Sequence, residues 1–421
     1  MAIFLLIILL GLLLFLYIKK EYGWLAGFTL VYFRLLSTVL FKVGPDIYGA
    51  HSLILLSFYA ILLLVPRTNR NYHYLNYYSD PVVFSVFFFT VVLLIQDTFS
   101  VYYDLNKSSI ANFELEFFLN TLFPFFTLPF YISSNNDCNA AIKSFFYWGV
   151  SYLMVIVLLF DMDINVIMED RMKLNDQTEI LDPISLSRYA GFSTISSVYF
   201  LLFGHSKKRL TVLFVFGFAL SVFFLLLAGQ RGTIIGVVLS LSLLGIREEY
   251  RNKMIWLLPI VLVCIYLSAF SSFEVFDRFK DLENYQTYNR FYDYIKVWEI
   301  FKTNGWLYGL GSEGYYYLTG RSYPHNIILE HVSNYGLLGL LCIVVVIVKS
   351  LQYSVRLMKF SKNYYDYIVV SCWFMTLSSS FVSASINGNK LFYLFSGMIV
   401  ISYSFLKEKE VCSFIDVKED D

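Results

Sequence analysis

Charge is what this sequence has least of. Only 15% of its 421 residues are Asp, Glu, Lys or Arg, whereas soluble domains run nearer a quarter. The 32 basic and 32 acidic side chains cancel, so no net field points to nucleic acid as a partner. Paired cysteines are lacking as well. Cys138, Cys264, Cys342, Cys372 and Cys412 stand alone, which argues against zinc and redox pairs and leaves them as buried fillers. A cleavable leader is not expected: the apolar run from Ala2 to Ile18 has no basic residue ahead of it and no small-residue cleavage site after it. It reads as a retained first span. Internal repeats and low-complexity tracts are missing too.

What is present is apolar length. Hydrophobic residues make up 57% of the chain and aromatics 19%, and runs of about twenty such residues define membrane spans. Spans are expected at 2–18, 24–41, 47–65, 82–101, 113–132, 145–160, 184–203, 210–228, 233–246, 254–270, 327–348, 367–386 and 391–406. With 233–246 short and the pair around Gly44-Pro45 readable as one broken element, the count is about 11–14. The fold class is therefore an all-α polytopic membrane protein, a single integral domain over 1–421 with a charged tail at 407–421.

Lys and Arg collect in alternate connections: Lys19-Lys20, Arg67 with Arg70, Lys143, Lys207-Lys208-Arg209, Arg247 to Lys253, Lys349 to Lys362, and the tail. The alternation places the N-terminus outside and the C-terminus in the cytoplasm. The outer side then receives 161–183, the turn Gly229-Gln230-Arg231-Gly232, and the longest loop, 271–326. That loop is too aromatic for a linker. Phe291, Ile295, Trp298 and Phe301 recur at helical spacing while Asp293, Lys296 and Lys302 avoid the stripe. The pattern predicts an amphipathic helix lying on or just above the membrane.

Charges at span edges are costly and informative. Arg188, Arg231, Arg290 and His325 all fall on the expected outer face. Each alone reads more readily as an interfacial, snorkelling group; the set of four on one face is harder to read so. Pro324 fits a first helical turn and would put His325 at a helix N-terminus, where the dipole disfavours the imidazolium. His325, Leu329, Val332, Gly336 and Gly339 would share a stripe, the glycines admitting another helix, with Asn326, Glu330 and Asn334 beside it. Gly309-Leu310-Gly311-Ser312-Glu313-Gly314 fits a dinucleotide fingerprint in letters, but no strand precedes it, and its glycines are read as shaping a turn. Asp161-Met162-Asp163 has metal-binding spacing. Two carboxylates are a thin set, so a divalent metal is weighed there and not favoured, and no cofactor is expected.

Arg290, Trp298, Gly309 with Gly311, His325-Asn326, and Gly336 with Gly339 follow one another in an order that resembles the Wzy-type membrane glycosyltransferases, the bacterial O-antigen and capsule polymerases and O-antigen ligases. Gln230-Arg231-Gly232 and Arg188-x-x-Gly191-Phe192 look like two further segments of that family, the second without the proline that often follows. Asn334 stands where ligases commonly carry a glutamate. The resemblance covers roughly 188–339. It implies a glycosyltransferase of the C type in the bacterial cytoplasmic membrane, taking a glycan from undecaprenyl pyrophosphate and giving it to a sugar hydroxyl of another lipid-linked repeat unit. Arg231 and Arg290 would hold the pyrophosphate with Arg188 supporting, and His325 would be the base or the group that orients the acceptor. Asn326, Glu330, Trp298 and Tyr317 are the candidate sugar contacts, and a chain-length regulator is a candidate partner. The alternatives are a ligase transferring glycan to lipid A core and, from a different class, a lipid-linked oligosaccharide flippase. A flippase would carry ionisable groups near the bilayer midplane, for which Arg34 and His51 are the candidates.

Overall fold

The computed structural model describes residues 21–27, 76–100, 117–159, 183–204, 208–243, 286–303, 306–312, 314–321, 323–382 and 385–419, with a few isolated positions besides. The expected spans 2–18, 24–41, 47–65 and 254–270 lie wholly or largely outside these residues, as do Arg34, His51, Asp161 and Asp163. Among the described residues all regular structure is helical. Five helices are long and apolar enough to cross a membrane: α1 (Pro81–Phe99), α3 (Asn135–Leu159), α5 (Lys208–Ala228), α9 (Ile327–Phe360) and the Lys390–Lys409 part of α11 (Lys390–Glu419). The chain is an all-α, multi-pass membrane protein. Between these run α2 (Phe123–Tyr131), α4 (Pro183–Phe203), α6 (Arg231–Ser242), α7 (Gln286–Thr303), α8 (Gly314–Thr319) and α10 (Tyr364–Ser380).

Local chemistry fixes the helix ends. Asp80 caps α1 by accepting from the Val82 N–H, and Pro81 occupies the first turn, where no N–H is needed. At the start of α3 the Ser134 hydroxyl accepts from the Asp137 N–H while Asp137 accepts from the Ser133 N–H. This capping pair lets a polar stretch begin the helix ten residues ahead of the apolar run that starts at 145. The expected span 113–132 is interrupted: a π-turn at Phe118–Leu122 precedes α2, which carries Pro124 in its first turn and Pro129 inside.

Helix α4 is the axis of the bundle. Every residue from Ser185 to Phe200 is buried, and the helix packs against α3, α5, α6 and α10. Small residues make these approaches possible. A Cβ at Gly236 would lie 2.8 Å from the Met375 carbonyl oxygen, and Ser240, one turn on, donates to the Ser371 carbonyl at 2.6 Å. Thus α6 lies directly on α10 through its Gly232, Gly236, Ser240 edge. On the other side α9 packs against α1 and α11. Cys138, Cys342 and Cys372 are buried free thiols, as their isolated spacing implies.

Candidate functional site

The site begins with a break in a helix. Asn326 caps α9, its Oδ1 accepting from the Ile328 and Leu329 N–H groups at 2.9 and 3.2 Å. At Gly336 the backbone leaves the helix (φ 60°, ψ −146°), in a region only glycine enters without strain. The break frees backbone groups that must find partners elsewhere. The loop 306–311 supplies them: Leu337 N–H donates to the Trp306 carbonyl at 2.8 Å, and Gly311 N–H to the Asn334 carbonyl at 2.7 Å. Leu310 N–H bonds the Ser333 carbonyl as well. Gly309 and Gly311 have φ of 75° and 82°, and a Cβ at Gly309 would sit 2.4 Å from the Asn334 carbonyl oxygen. The Gly-x-Gly segment is a backbone plug for the helix break, the turn-shaping role expected of it.

This corrects two expectations. Pro324 and His325 precede the helix instead of opening it: His325 is exposed, in left-handed backbone (φ 52°), with its ring 4.5 Å from Tyr323. Since Asn326 is the cap, the dipole acts on the chain one residue after the imidazole. The glycine stripe is also not a continuous helical face. Gly336 admits the loop backbone, a Cβ there meeting Leu307 C at 2.6 Å, and Gly339 lets the second half of α9 close onto the first, against the His331 carbonyl.

A second assembly surrounds the turn between α10 and α11, which contains the 3₁₀ segment Asn387–Asn389. Arg188, only 2% exposed, reaches it from α4. Its Nε donates to the Ser379 hydroxyl at 3.0 Å, Nη2 to Asn389 Oδ1 at 2.7 Å, and Nη1 to the Gly388 carbonyl. Such a fork is the means by which a buried guanidinium can be accommodated. From α9, Glu330 accepts from the Ile386 N–H, and its Oε2 has no hydrogen-bond partner. Asn326 donates to the Phe381 carbonyl at 3.1 Å. Gly232, one residue after Arg231, lies against Ser379 and Val382. The starts of α4, α6 and α9 therefore converge on residues 379–382 and 386–389. Arg231 itself is half-buried at the first position of α6.

The loop helix α7 forms where the periodicity predicts it and hides the face away from its aromatic stripe. Val297 and Ile300 are buried with Tyr315 and Leu310, against Leu329 and Val332 of α9. Asp293 shares that face at 1% exposure, accepting from the Tyr315 hydroxyl at 2.7 Å and from Arg321 Nη1 at 2.8 Å. Arg321 also lies over the Tyr292 ring at 4.8 Å. Burial, and then the Asp293 carboxylate, push the Tyr315 phenol upward, so it stays a donor. The aromatic stripe Phe291, Ile295 and Trp298 is left exposed. Trp298 stacks on Phe301, with Lys302 over its ring at 4.7 Å. Tyr317, in α8, is exposed against Tyr316. Arg290 lies in the first turns of α7, and its side chain is outside the described residues.

The expected residues thus fall into two groups. Arg188, Asn326 and Glu330 are turned inward on the α10–α11 turn; Arg231, His325, Tyr317 and Trp298 are half-buried or exposed. Sequence reading missed Arg321 and Asp293 as a pair, because 28 residues separate them. It also missed His331, fully buried, with Nδ1 donating to the Ile327 carbonyl at 2.6 Å and Nε2 accepting from the Tyr393 hydroxyl at 3.0 Å. That is a satisfied core histidine, and nothing local in the sequence marks it.

Among the described residues, five helices long and apolar enough to cross a membrane define the class, a multi-pass membrane protein. A family model described as O-antigen ligase matches residues 216–344, which span Arg231, Arg290, His325, Asn326, Glu330 and both halves of the broken helix start. The match supports the family of O-antigen ligases and polymerases. No curated protein matches the chain.

Proposed function

We propose that the chain is a polysaccharide polymerase of the cytoplasmic membrane, transferring glycan from undecaprenyl pyrophosphate to the sugar hydroxyl of another lipid-linked repeat unit. The observation that carries the reading is the O-antigen ligase match over the segment holding Arg231, Arg290 and His325. In the reaction the bond between the anomeric carbon and the phosphate oxygen breaks and the pyrophosphate leaves with the electron pair. The acceptor oxygen bonds to the anomeric carbon from the opposite side, inverting it, and its proton passes to the His325 imidazole. Arg231 and Arg290 meet the charge growing on the pyrophosphate, so no step is assigned to a metal. Arg188 supports from beneath, holding the turn on which α6 rests. The site faces outward, with the N-terminus outside and the C-terminal tail in the cytoplasm.

A second reading rests on the same match, since the matching family is described as O-antigen ligase. A ligase would use the same leaving group and pass the glycan to lipid A core. Incubating the purified protein with lipid-linked repeat units alone separates the two. A ladder of products is expected of the polymerase, and consumption only after a lipid A core acceptor is added would establish the ligase. A His325→Ala protein that folds and still makes the full ladder sinks the assignment of the base.

A further inference from the structure

His325 sits on a short stretch of backbone anchored at both ends. On the C-terminal side Asn326 caps α9 and donates to the Phe381 carbonyl at 3.1 Å. On the N-terminal side, Arg321 donates from Nη1 to Asp293 Oδ1 at 2.8 Å, and its guanidinium lies over the neighbouring Tyr292 ring at 4.8 Å. The same Asp293 oxygen accepts from the Tyr315 hydroxyl at 2.7 Å. One carboxylate of α7, 1% exposed, thus holds both the start of α8 and a residue just past its end. Between the two anchors the chain has little freedom. Pro324 is buried and fixes one dihedral, and the Tyr323 and His325 rings pack edge to face with centroids 4.5 Å apart. His325 itself is in left-handed backbone (φ 52°), a conformation that a residue with a Cβ keeps only where its surroundings impose it.

Stability alone does not account for the pair. Helix α7 is already held by Val297 and Ile300, packed with Tyr315, Leu310, Leu329 and Val332, and the desolvation of a buried ion pair offsets much of its attraction. What a charge-assisted contact does fix is position. Here it fixes the stretch bearing His325 to the helix in which Arg290 stands less than one turn before Asp293. We propose that Asp293 and Arg321 are positioning residues for the transfer reaction: their pair sets His325 in register with α7, so that the base and the arginine meeting the pyrophosphate are presented together. The inference rests on the glycosyltransferase reading and deepens it. Neither residue is assigned contact with the reacting atoms. With the pair broken, Val297 and Ile300 keep α7 in place, while the chain from Arg321 to His325 loses its N-terminal anchor. The pyrophosphate is still held and the base is misplaced. The loss therefore falls on kcat and not on KM, and a misplacement of about 1 Å suffices for a loss of about a hundredfold.

The test measures glycan transfer by the full-length protein from lipid-linked repeat units, with and without a lipid A core acceptor, together with amide hydrogen exchange at His325 and Asn326. Asp293→Asn keeps an acceptor for Tyr315 and removes the charge facing Arg321. Arg321→Gln removes the other partner from a side chain that is 34% exposed, so one variant remains if the buried substitution does not fold. Each is expected to lower kcat by about ten- to a hundredfold with KM within about twofold of the parent, and to speed exchange at His325 and Asn326. Arg321→Lys keeps a charge for Asp293 and should lie between Arg321→Gln and the parent. Glu299→Gln breaks the exposed Lys296–Glu299 pair of the same helix and should match the parent. Unchanged kcat in the pair variants, a KM that rises as kcat falls, or Arg321→Lys no better than Arg321→Gln overturns the positioning role while the function reading stands. A parent protein that transfers glycan to neither acceptor overturns the function reading itself, whatever the exchange rates show, and the positioning role falls with it.

Discussion

Two arginines of the candidate site mark the contrast between its parts. Arg188 is enclosed, with its guanidinium committed to Ser379, Gly388 and Asn389. Arg231 stands at the first position of α6, half-buried, next to a glycine that lies against Val382 of the same turn. Both begin apolar helices in the sequence and look alike there. The difference divides the candidate site into a holding layer (Arg188, Asn326 and Glu330 around residues 379–382 and 386–389) and a presenting layer of the less buried Arg231 and His325. A substitution in the first layer should act on folding, and one in the second on chemistry alone.

The widest separation between the layers is expected from Arg188→Ala against His325→Ala. Removing Arg188 takes its fork from the Ser379 hydroxyl, the Gly388 carbonyl and Asn389 Oδ1, leaving the first and last only the Thr233 and Ser380 hydroxyls as donors, a cost of about 1–3 kcal/mol for lost hydrogen bonds to a charged group. Thermal unfolding in detergent should show a large fall in Tm, with activity lost as a consequence. Arg188→Lys should recover little, because one ammonium cannot replace a planar fork. His325→Ala removes an exposed ring and should leave Tm unchanged, while polymer formation drops by about 10²–10⁴, the usual worth of a general base. If His325→Ala lowers Tm as far as Arg188→Ala does, the layers are not distinct.

Gly309→Ala comes next and sharpens the boundary. The φ of 75° costs about 1–3 kcal/mol for a residue with a Cβ, and the added carbon would meet the Asn334 backbone. Loss of the bonds from Leu310, Gly311 and Leu337 should follow, read as faster amide hydrogen exchange at those three positions. Gly320, also at positive φ, has nothing within 4 Å of its missing Cβ, so Gly320→Ala should carry the backbone strain without the clash and disturb less.

How much of this was legible beforehand depends on what each feature is made of. Spans rest on hydropathy summed over many residues, so α1, α4, α5, α9, α10 and α11 appear where the apolar runs do. The start of α3 escaped because Asn135 to Asn139 are polar and only the Ser134–Asp137 cap makes them helical. The break at Gly336 escaped for another reason: glycine in an apolar run is compatible with a straight helix, and the bend comes from loop backbone some thirty residues earlier. For α7 the periodicity predicts the helix but not the partner of its polar face, where Asp293 is buried with Val297 and Ile300. Its charge is answered by Arg321, whose position no periodicity reveals. The set Arg188, Arg231, Arg290 and His325 could be gathered from charge alternation, but not its division into layers, since burial is a property of the assembled turn.

The smallest effect belongs to Trp298, and it tests what the exposed face of α7 is for. Phe291, Ile295 and Trp298 project from the side opposite Val297 and Ile300, so the helix is held by one face and offers the other. Lys302 over the Trp298 ring pairs a cation with an aromatic, as interfacial helices do where headgroups meet acyl chains. Trp298→Ala should change stability by no more than about 0.5 kcal/mol, as for an exposed position, since Trp298 is exposed and stacks on Phe301 of its own helix. If the stripe rests on the bilayer, brominated lipids should quench less of the protein's tryptophan fluorescence in Trp298→Phe than in the parent, and Trp298→Glu should reduce activity several-fold more than Trp298→Phe. Equal quenching in parent and Trp298→Phe would leave the stripe facing water or substrate, and would move Trp298 to the presenting layer beside His325.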